Sequence, residues 1–146
     1  MFNKKGFTLI ELLIVIAVIS ILISIALPRF KGMQDEGNIA KAKGELRTLQ
    51  TAVESFYIHN NIAYPAALSD VTTATPRIVS SIPADPFDSA SGAYGYVRGG
   101  TNNKFYVIFS DGPAGNGSAT ITGDAVVETN GSSCIYASNA GTDTQP

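Results

Sequence analysis

One cysteine and one histidine, Cys134 and His59, are present, and charged residues make up only 15% of the chain. A single cysteine excludes an internal disulfide. A small exported domain without one needs rigidity from elsewhere, such as a bound metal or packing against neighbours. A single histidine leaves little for catalysis. Any Ser/His/Asp or Cys/His site would have to be built on His59, and no spacing relation ties Cys134 to it. One histidine and one cysteine also fall short of a zinc site. No glycine-rich phosphate loop precedes a helix. The formal net charge of −2 is mild, and no basic patch interleaved with aromatics is found, so nucleic acid is not an expected partner. These scarcities point away from an enzyme.

What is there is unevenly distributed. From Phe7 to Leu27 the chain carries one charge, Glu11. At about 1.5 Å per residue this run makes a helix of roughly 30 Å, the thickness of a bilayer's hydrocarbon core. Its many isoleucines and valines do not argue for a strand at this length, because in lipid a helix satisfies every backbone group internally. Before it stands MFNKKG, short, polar and basic. Three readings compete. A secretory signal peptide would be cut after the run, near Ser24-Ile25-Ala26, but the run is long for one and contains an acid. A plain anchor leaves Glu11 without a partner in lipid, which is rarely kept. In the third reading cleavage falls before the run, and Glu11 lies four residues beyond Phe7.

The string KKGFTLIELLIVIAVI resembles the processing signature of type IV prepilins and pseudopilins, and the likeness runs unbroken to Pro28. The resemblance implies that a prepilin peptidase cuts between Gly6 and Phe7 and that the new amine of Phe7 is methylated. Cleavage would place a positive amine one helical turn from the Glu11 carboxylate. An acid is favoured near a helix N-terminus. In a filament the amine of one subunit can meet Glu11 of its neighbour, and since breaking a buried pair is strongly unfavourable, Glu11 would set the register. The alternative is an acid snorkelling to the interface. Lys4 and Lys5 before the run balance Arg29 and Lys31 after it, so flanking charge does not orient the segment. The resemblance places the leader in the cytoplasm.

Pro28 lacks an N–H and is expected to kink or locally break the helix. Gly32 and Gly37 each cost up to about 1 kcal/mol relative to alanine, so the stretch from Pro28 to Gly37 is an expected weak point, which the resemblance suggests melts on assembly. Beyond it Ile39, Ala42, Leu46, Leu49, Val53 and Phe56 recur at helical spacing, with Lys41, Glu45, Thr48 and Glu54 off that stripe. This predicts an amphipathic helix from Asn38 to His59, closed by NNIAYP. A long connection follows from Ala66 to Gly92, and loops of that length are usually functional or packed onto the domain. Residues 94–97 and 104–110 read as a hairpin turning through GGTNN. Residues 119–121 and 126–127 read as a second hairpin through Thr122-Gly123-Asp124. Cys134-Ile135-Tyr136 reads as a last strand, and the final ten residues are expected to fray.

IPADPFDSASGAYGYV followed by FYVIFSDGPAGNG is similar to the globular region of the major pseudopilins of type II secretion systems. That family often binds calcium in the loop after the central strand and commonly lacks a disulfide. Calcium takes six to eight oxygen ligands, and Ser110, Asp111, Asn116, Ser118 and Asp124 offer several. SATITGDAVVETNG departs from the family's short acidic run, so ligand positions do not transfer directly. Asp, Gly, Pro and Asn also build plain turns, and both readings stand at this point.

The expected fold is α+β, a pilin fold in which a long helical spine packs on a small antiparallel sheet. Residues 1–6 form the leader, 7–28 the membrane-spanning and filament-core helix with Phe7, Glu11 and Pro28 as assembly residues, 29–60 the amphipathic second half, and 61–146 the globular domain. The resemblance implies a non-enzymatic subunit of a homo-oligomeric helical filament, anchored by a single pass in a bacterial inner membrane before assembly, with its C-terminal domain in the periplasm. Its partners would be the prepilin peptidase, an inner-membrane assembly platform and minor pseudopilins. A periplasmic fibre for protein export is the first expectation and a surface type IV pilus the alternative. Loss of Lys4 and Lys5 with the leader would take the net charge from −2 to −4.

Overall fold

The computed structural model describes residues 6–88, 92–129 and 133–142. The leader residues 1–5 lie outside these. The chain divides into two compact units, Met1–Glu36 and Gly37–Pro146.

The first unit is formed by the beginning of helix α1 (Leu9–His59), which runs through Pro28 without interruption. The expected break at Pro28 is therefore absent, and α1 does not restart at Asn38. Proline removes one backbone donor, but its fixed φ near −65° is itself helical. A single lost bond inside a long run of helix formers leaves propagation intact. The apolar side chains here have no cover: Leu12, Ile16, Ile21, Leu22 and Leu27 are all exposed. The helix is long and apolar enough to cross a membrane, with none of its most apolar window buried.

In the second unit α1 becomes amphipathic. Ala42, Leu46, Leu49, Ala52 and Val53 are buried, while Ile39 and Phe56 at the two ends of the stripe are half-buried. The buried five and Phe56 pack with Tyr64, Leu68, Val71, Tyr94, Tyr106 and Ile108 in the main core. The long connection contributes to this core. It carries a one-turn helix α2 (Asp70–Thr73), and Ile78, Val79, Ile82 and Phe87 lie against the same cluster.

The sheet is realised as two three-stranded sheets. The first orders β1 (Gly95–Gly99), β2 (Phe105–Ser110) and β5 (Ile135–Ser138), all antiparallel, with Val97 opposite Val107 and Ile108 opposite Ala137. The second orders β3 (Ser118–Thr122), β4 (Ala125–Thr129) and β6 (Gly141–Thr142); β3 and β4 are antiparallel, and β6 runs parallel to β4. Both expected hairpins and the last strand are present. The expected fraying is corrected in part, because 137–138 and 141–142 lie in strands, and 143–146 fall outside the described residues. Strand alternation sends successive side chains of β2 to opposite faces. Tyr106 and Ile108 join the helix-side core, whereas Val107 joins Ala119, Val126 and Ala140 in a second cluster.

Candidate functional site

At the N-terminal end, Gly6 has open space around it and Phe7 is 88% exposed. Thr8 caps α1. Its carbonyl accepts from the Leu12 amide at 3.3 Å, and its hydroxyl accepts from the Glu11 amide at 3.3 Å. In return Glu11 Oε2 accepts from the Thr8 amide at 2.8 Å and from the Thr8 hydroxyl at 2.7 Å. This reciprocal arrangement is a capping box, whose sequence signal is Thr-x-x-Glu ahead of an apolar run. Glu11 is expected from the sequence both to set the register and to be favoured near the helix N-terminus; the structure adds Thr8 as its partner in the first turn.

The five candidate calcium ligands are not brought to one point. Ser110 is fully buried, and its hydroxyl donates to Asp85 Oδ1 at 2.7 Å while accepting from the Gly112 amide at 3.2 Å. Asp124 lies in the β3–β4 turn, where its Oδ1 accepts from the Thr101 amide at 2.8 Å. Ser118 pairs with Thr129 at the opposite end of that hairpin, about 13 Å away at strand rise. Asp111, Asn116 and Ser118 share one loop, closed by the Gly117 amide on the Asp111 carbonyl at 2.8 Å. Among the described residues no group of three or more His, Cys, Asp or Glu side chains could hold a metal ion. The five therefore do not fit a single calcium sphere. Two glycines of the loop, Gly112 and Gly117, are explained by packing. A Cβ on Gly112, whose φ is +68°, would collide with the Ser133 carbonyl, and one on Gly117 would lie 2.7 Å from the Asp111 carbonyl oxygen.

Asp85 organises this region. Only 4% exposed, it accepts from the Ser110 hydroxyl, from the Asp111 amide at 3.0 Å and from the Phe87 amide at 3.0 Å. It thereby ties the Asp-Pro-Phe turn to the end of β2. Burial, then the charges of Asp85 and Asp88, hold the Asp111 carboxyl above its ordinary pKa. Burial, reinforced by Glu128, Asp111 and Asp85, pushes the Cys134 thiol up to about 12, which leaves it a poor nucleophile. His59 is exposed, its Nδ1 2.8 Å from the Ser55 carbonyl, an ordinary surface contact.

Glu45 and Glu54 were read as lying off the stripe. They flank it and receive one tyrosine from β2 and two from outside the strands. Tyr94 donates to Glu45 at 2.6 Å, and Tyr106 and Tyr64 donate to Glu54 at 2.8 and 3.2 Å. Tyr57, Tyr64, Tyr106 and Tyr96 form a contiguous ring cluster with centroid separations of 4.4, 4.8 and 6.3 Å. Burial first, then Glu54, raises Tyr64 to about 12 and Tyr106 further; burial and Glu45 do the same for Tyr94. These phenols stay neutral donors at physiological pH.

Residues 1–27 match the family model for the prokaryotic N-terminal methylation motif. The N-terminus carries that methylation motif. Beyond it, the chain is 27% identical over 129 residues to the type II secretion system core protein G of Pseudomonas aeruginosa, a match covering 77% of this chain and 88% of that protein. The core protein G of Pectobacterium carotovorum is likewise 27% identical over 128 residues, 79% of its length. The fimbrial protein EcpB of Eikenella corrodens is 48% identical, but over 62 residues, 42% of this chain and 39% of that protein. No solved structure matches the chain significantly. The longer matches are to the core proteins G.

Proposed function

We propose that this chain is a structural subunit of a type IV pilus-like filament, in the role of major pseudopilin of a type II secretion-like system. One observation carries the reading. A membrane-length apolar helix with no cover of its own begins at a prepilin motif and bears a lone acid one turn from Phe7. Such a surface is stable in lipid or against other helices of its kind, and unstable in water. A prepilin peptidase cuts between Gly6 and Phe7, and the Phe7 amine is methylated. The subunit waits as a single-pass protein of the inner membrane, its Gly37–Pro146 unit in the periplasm. It then exchanges lipid for sibling helices, with an assembly platform and minor pseudopilins as partners. It is a substrate of enzymes and not one itself.

Glu11 supports this order of events. In the isolated subunit the capping box answers its carboxylate locally; in the filament the amine of a neighbouring Phe7 offers a full positive charge. Only one alignment of parallel helices brings amine and acid together in an apolar bundle, and mismatched registers leave buried charge uncompensated.

The secretion role is favoured over a surface pilus because similarity to the core proteins G spans most of their length, whereas similarity to EcpB stops at 62 residues. Electron microscopy of cells lacking the chain, paired with a census of their culture medium, tests the choice. The secretion reading predicts secreted proteins missing from the medium with surface fibres intact. Missing surface fibres with normal secretion would favour the pilus.

A further inference from the structure

The Met1–Glu36 unit carries two charges that its own helix does not answer. Arg29 and Glu36 are both exposed. On a helix, ion pairs form between residues three or four apart. No residue at those distances from Arg29 is acidic, and none at those distances from Glu36 is basic. Neither side chain enters an ion pair among the described residues. Lys31 and Asp35, by contrast, stand four apart and can answer each other. In water a lone charge is well solvated. Against sibling helices with apolar surfaces it needs a partner.

The two residues sit in line with Glu11. Arg29 follows Glu11 by about five helical turns, and Glu36 follows Arg29 by about two, so all three share one face of α1. Val18, Leu22 and Ile25 occupy that face between Glu11 and Arg29, and all are exposed. Around Arg29 a shallow groove is formed by Leu22, Ile25, Ala26, Phe30 and Met33. The face is an uncovered apolar stripe with charge at both ends.

We infer that Arg29 of one copy pairs with Glu36 of a neighbouring copy, a second register contact on the face that carries Glu11. The inference rests on the filament reading above. Polarity makes the two contacts compatible. In each the positive group comes first: the Phe7 amine lies one turn before Glu11, and Arg29 lies two turns before Glu36. A parallel copy shifted toward the C-terminal end by roughly 6–10 Å brings its amine to Glu11 and its Arg29 to Glu36 together. The long arginine stem takes up the difference. Were the order of charge reversed in one pair, no single shift would serve both. Unshifted copies would set Arg29 beside Arg29 and Glu36 beside Glu36, which like-charge repulsion disfavours. A contact between two different patches leaves a free Arg29 at one end and a free Glu36 at the other, and so propagates into an open filament.

Charge exchange in the full-length chain, expressed with its processing machinery, tests the pair. Arg29→Glu and Glu36→Arg, each alone, set like charges against each other and should lower fibre yield roughly tenfold or more, with leader removal unaffected. The double variant restores opposite charges between copies and should recover most of the wild-type yield. Within one helix the two positions are about 10 Å apart, too far to rescue each other, so recovery reports a contact between copies. Single variants at wild-type yield, or a double variant as poor as either single, overturn the pair. Loss with Arg29→Glu and none with Glu36→Arg assigns Arg29 to lipid headgroups and overturns it as well. Cross-linking provides an independent arm. In a Cys134→Ser background, mild oxidation of fibres carrying both Arg29→Cys and Glu36→Cys should give a ladder of covalent multimers, while each single cysteine gives dimers at most. Fibres without a ladder overturn the contact and leave the filament reading standing. A wild-type chain that never polymerises overturns both.

Discussion

Single residues in the globular unit carry opposite kinds of cost. Asp111 is held above its ordinary pKa by burial and by Asp85 and Asp88. The folded state therefore binds its proton more tightly than the unfolded chain, and ionising it costs stability. That cost is absent below the ordinary value of 3.8 and fully present once the pH exceeds the raised folded value. Asp111→Asn should accordingly raise the melting temperature at neutral pH, with the gain disappearing as the pH falls toward 3.8. A melting temperature that rises with added calcium in the wild type, and not in Asp111→Asn, would show instead that this carboxylate holds a cation. Tyr106 is the reverse case. Fully buried, it donates to Glu54 at 2.8 Å, and a hydrogen bond to a charged acceptor contributes about 1.5–3 kcal/mol. Tyr106→Phe should lower stability by about that amount in a denaturant titration. At Gly112 the positive φ and the neighbouring Ser133 carbonyl make Gly112→Ala a loss of about 2–4 kcal/mol in the same titration.

Among elements, α1 spans both units. Its buried stripe predicts that Leu46→Ala destabilises the second unit by about 2–5 kcal/mol, measured by thermal melting in detergent. Its continuity through Pro28 predicts that Pro28→Ala leaves the helical circular-dichroism signal of the detergent-solubilised subunit unchanged; a marked gain would mean that the proline does break the helix. The stripe from Ile39 to Phe56 and the β1–β2 hairpin were legible in the sequence because each is written locally, in a period of 3.6 or 2 and in turn residues. The uninterrupted helix at Pro28 was not, because an intrinsic penalty says nothing about how much helix surrounds it. The Glu54–Tyr106 bond joins residues 52 apart, and no local spacing encodes it, so the helical period places both helix acids only off the stripe. The candidate calcium ligands illustrate the same limit. Ser110, Asp111, Asn116, Ser118 and Asp124 are close in sequence, but the β3–β4 hairpin carries Asp124 to the far end of its strand.

For the whole molecule, the N-terminal segment and the globular unit divide the work. The first carries an apolar surface that only lipid or sibling helices can cover, and the second supplies a rigid body held by buried tyrosines and the buried Asp85 in place of a disulfide. Glu11→Ala should abolish fibres while leaving leader removal intact, since the lost charge belongs to alignment and not to the folded domain. Full assembly of that variant would remove Glu11 from the account. The most direct test is the mass of the first peptide of the chain recovered from purified assembled fibres. It should begin at Phe7 and carry one methyl group on its amine. A chain that begins at Leu27, or keeps Met1 to Gly6 in the assembled state, would contradict a filament built on the helix that starts behind that cleavage.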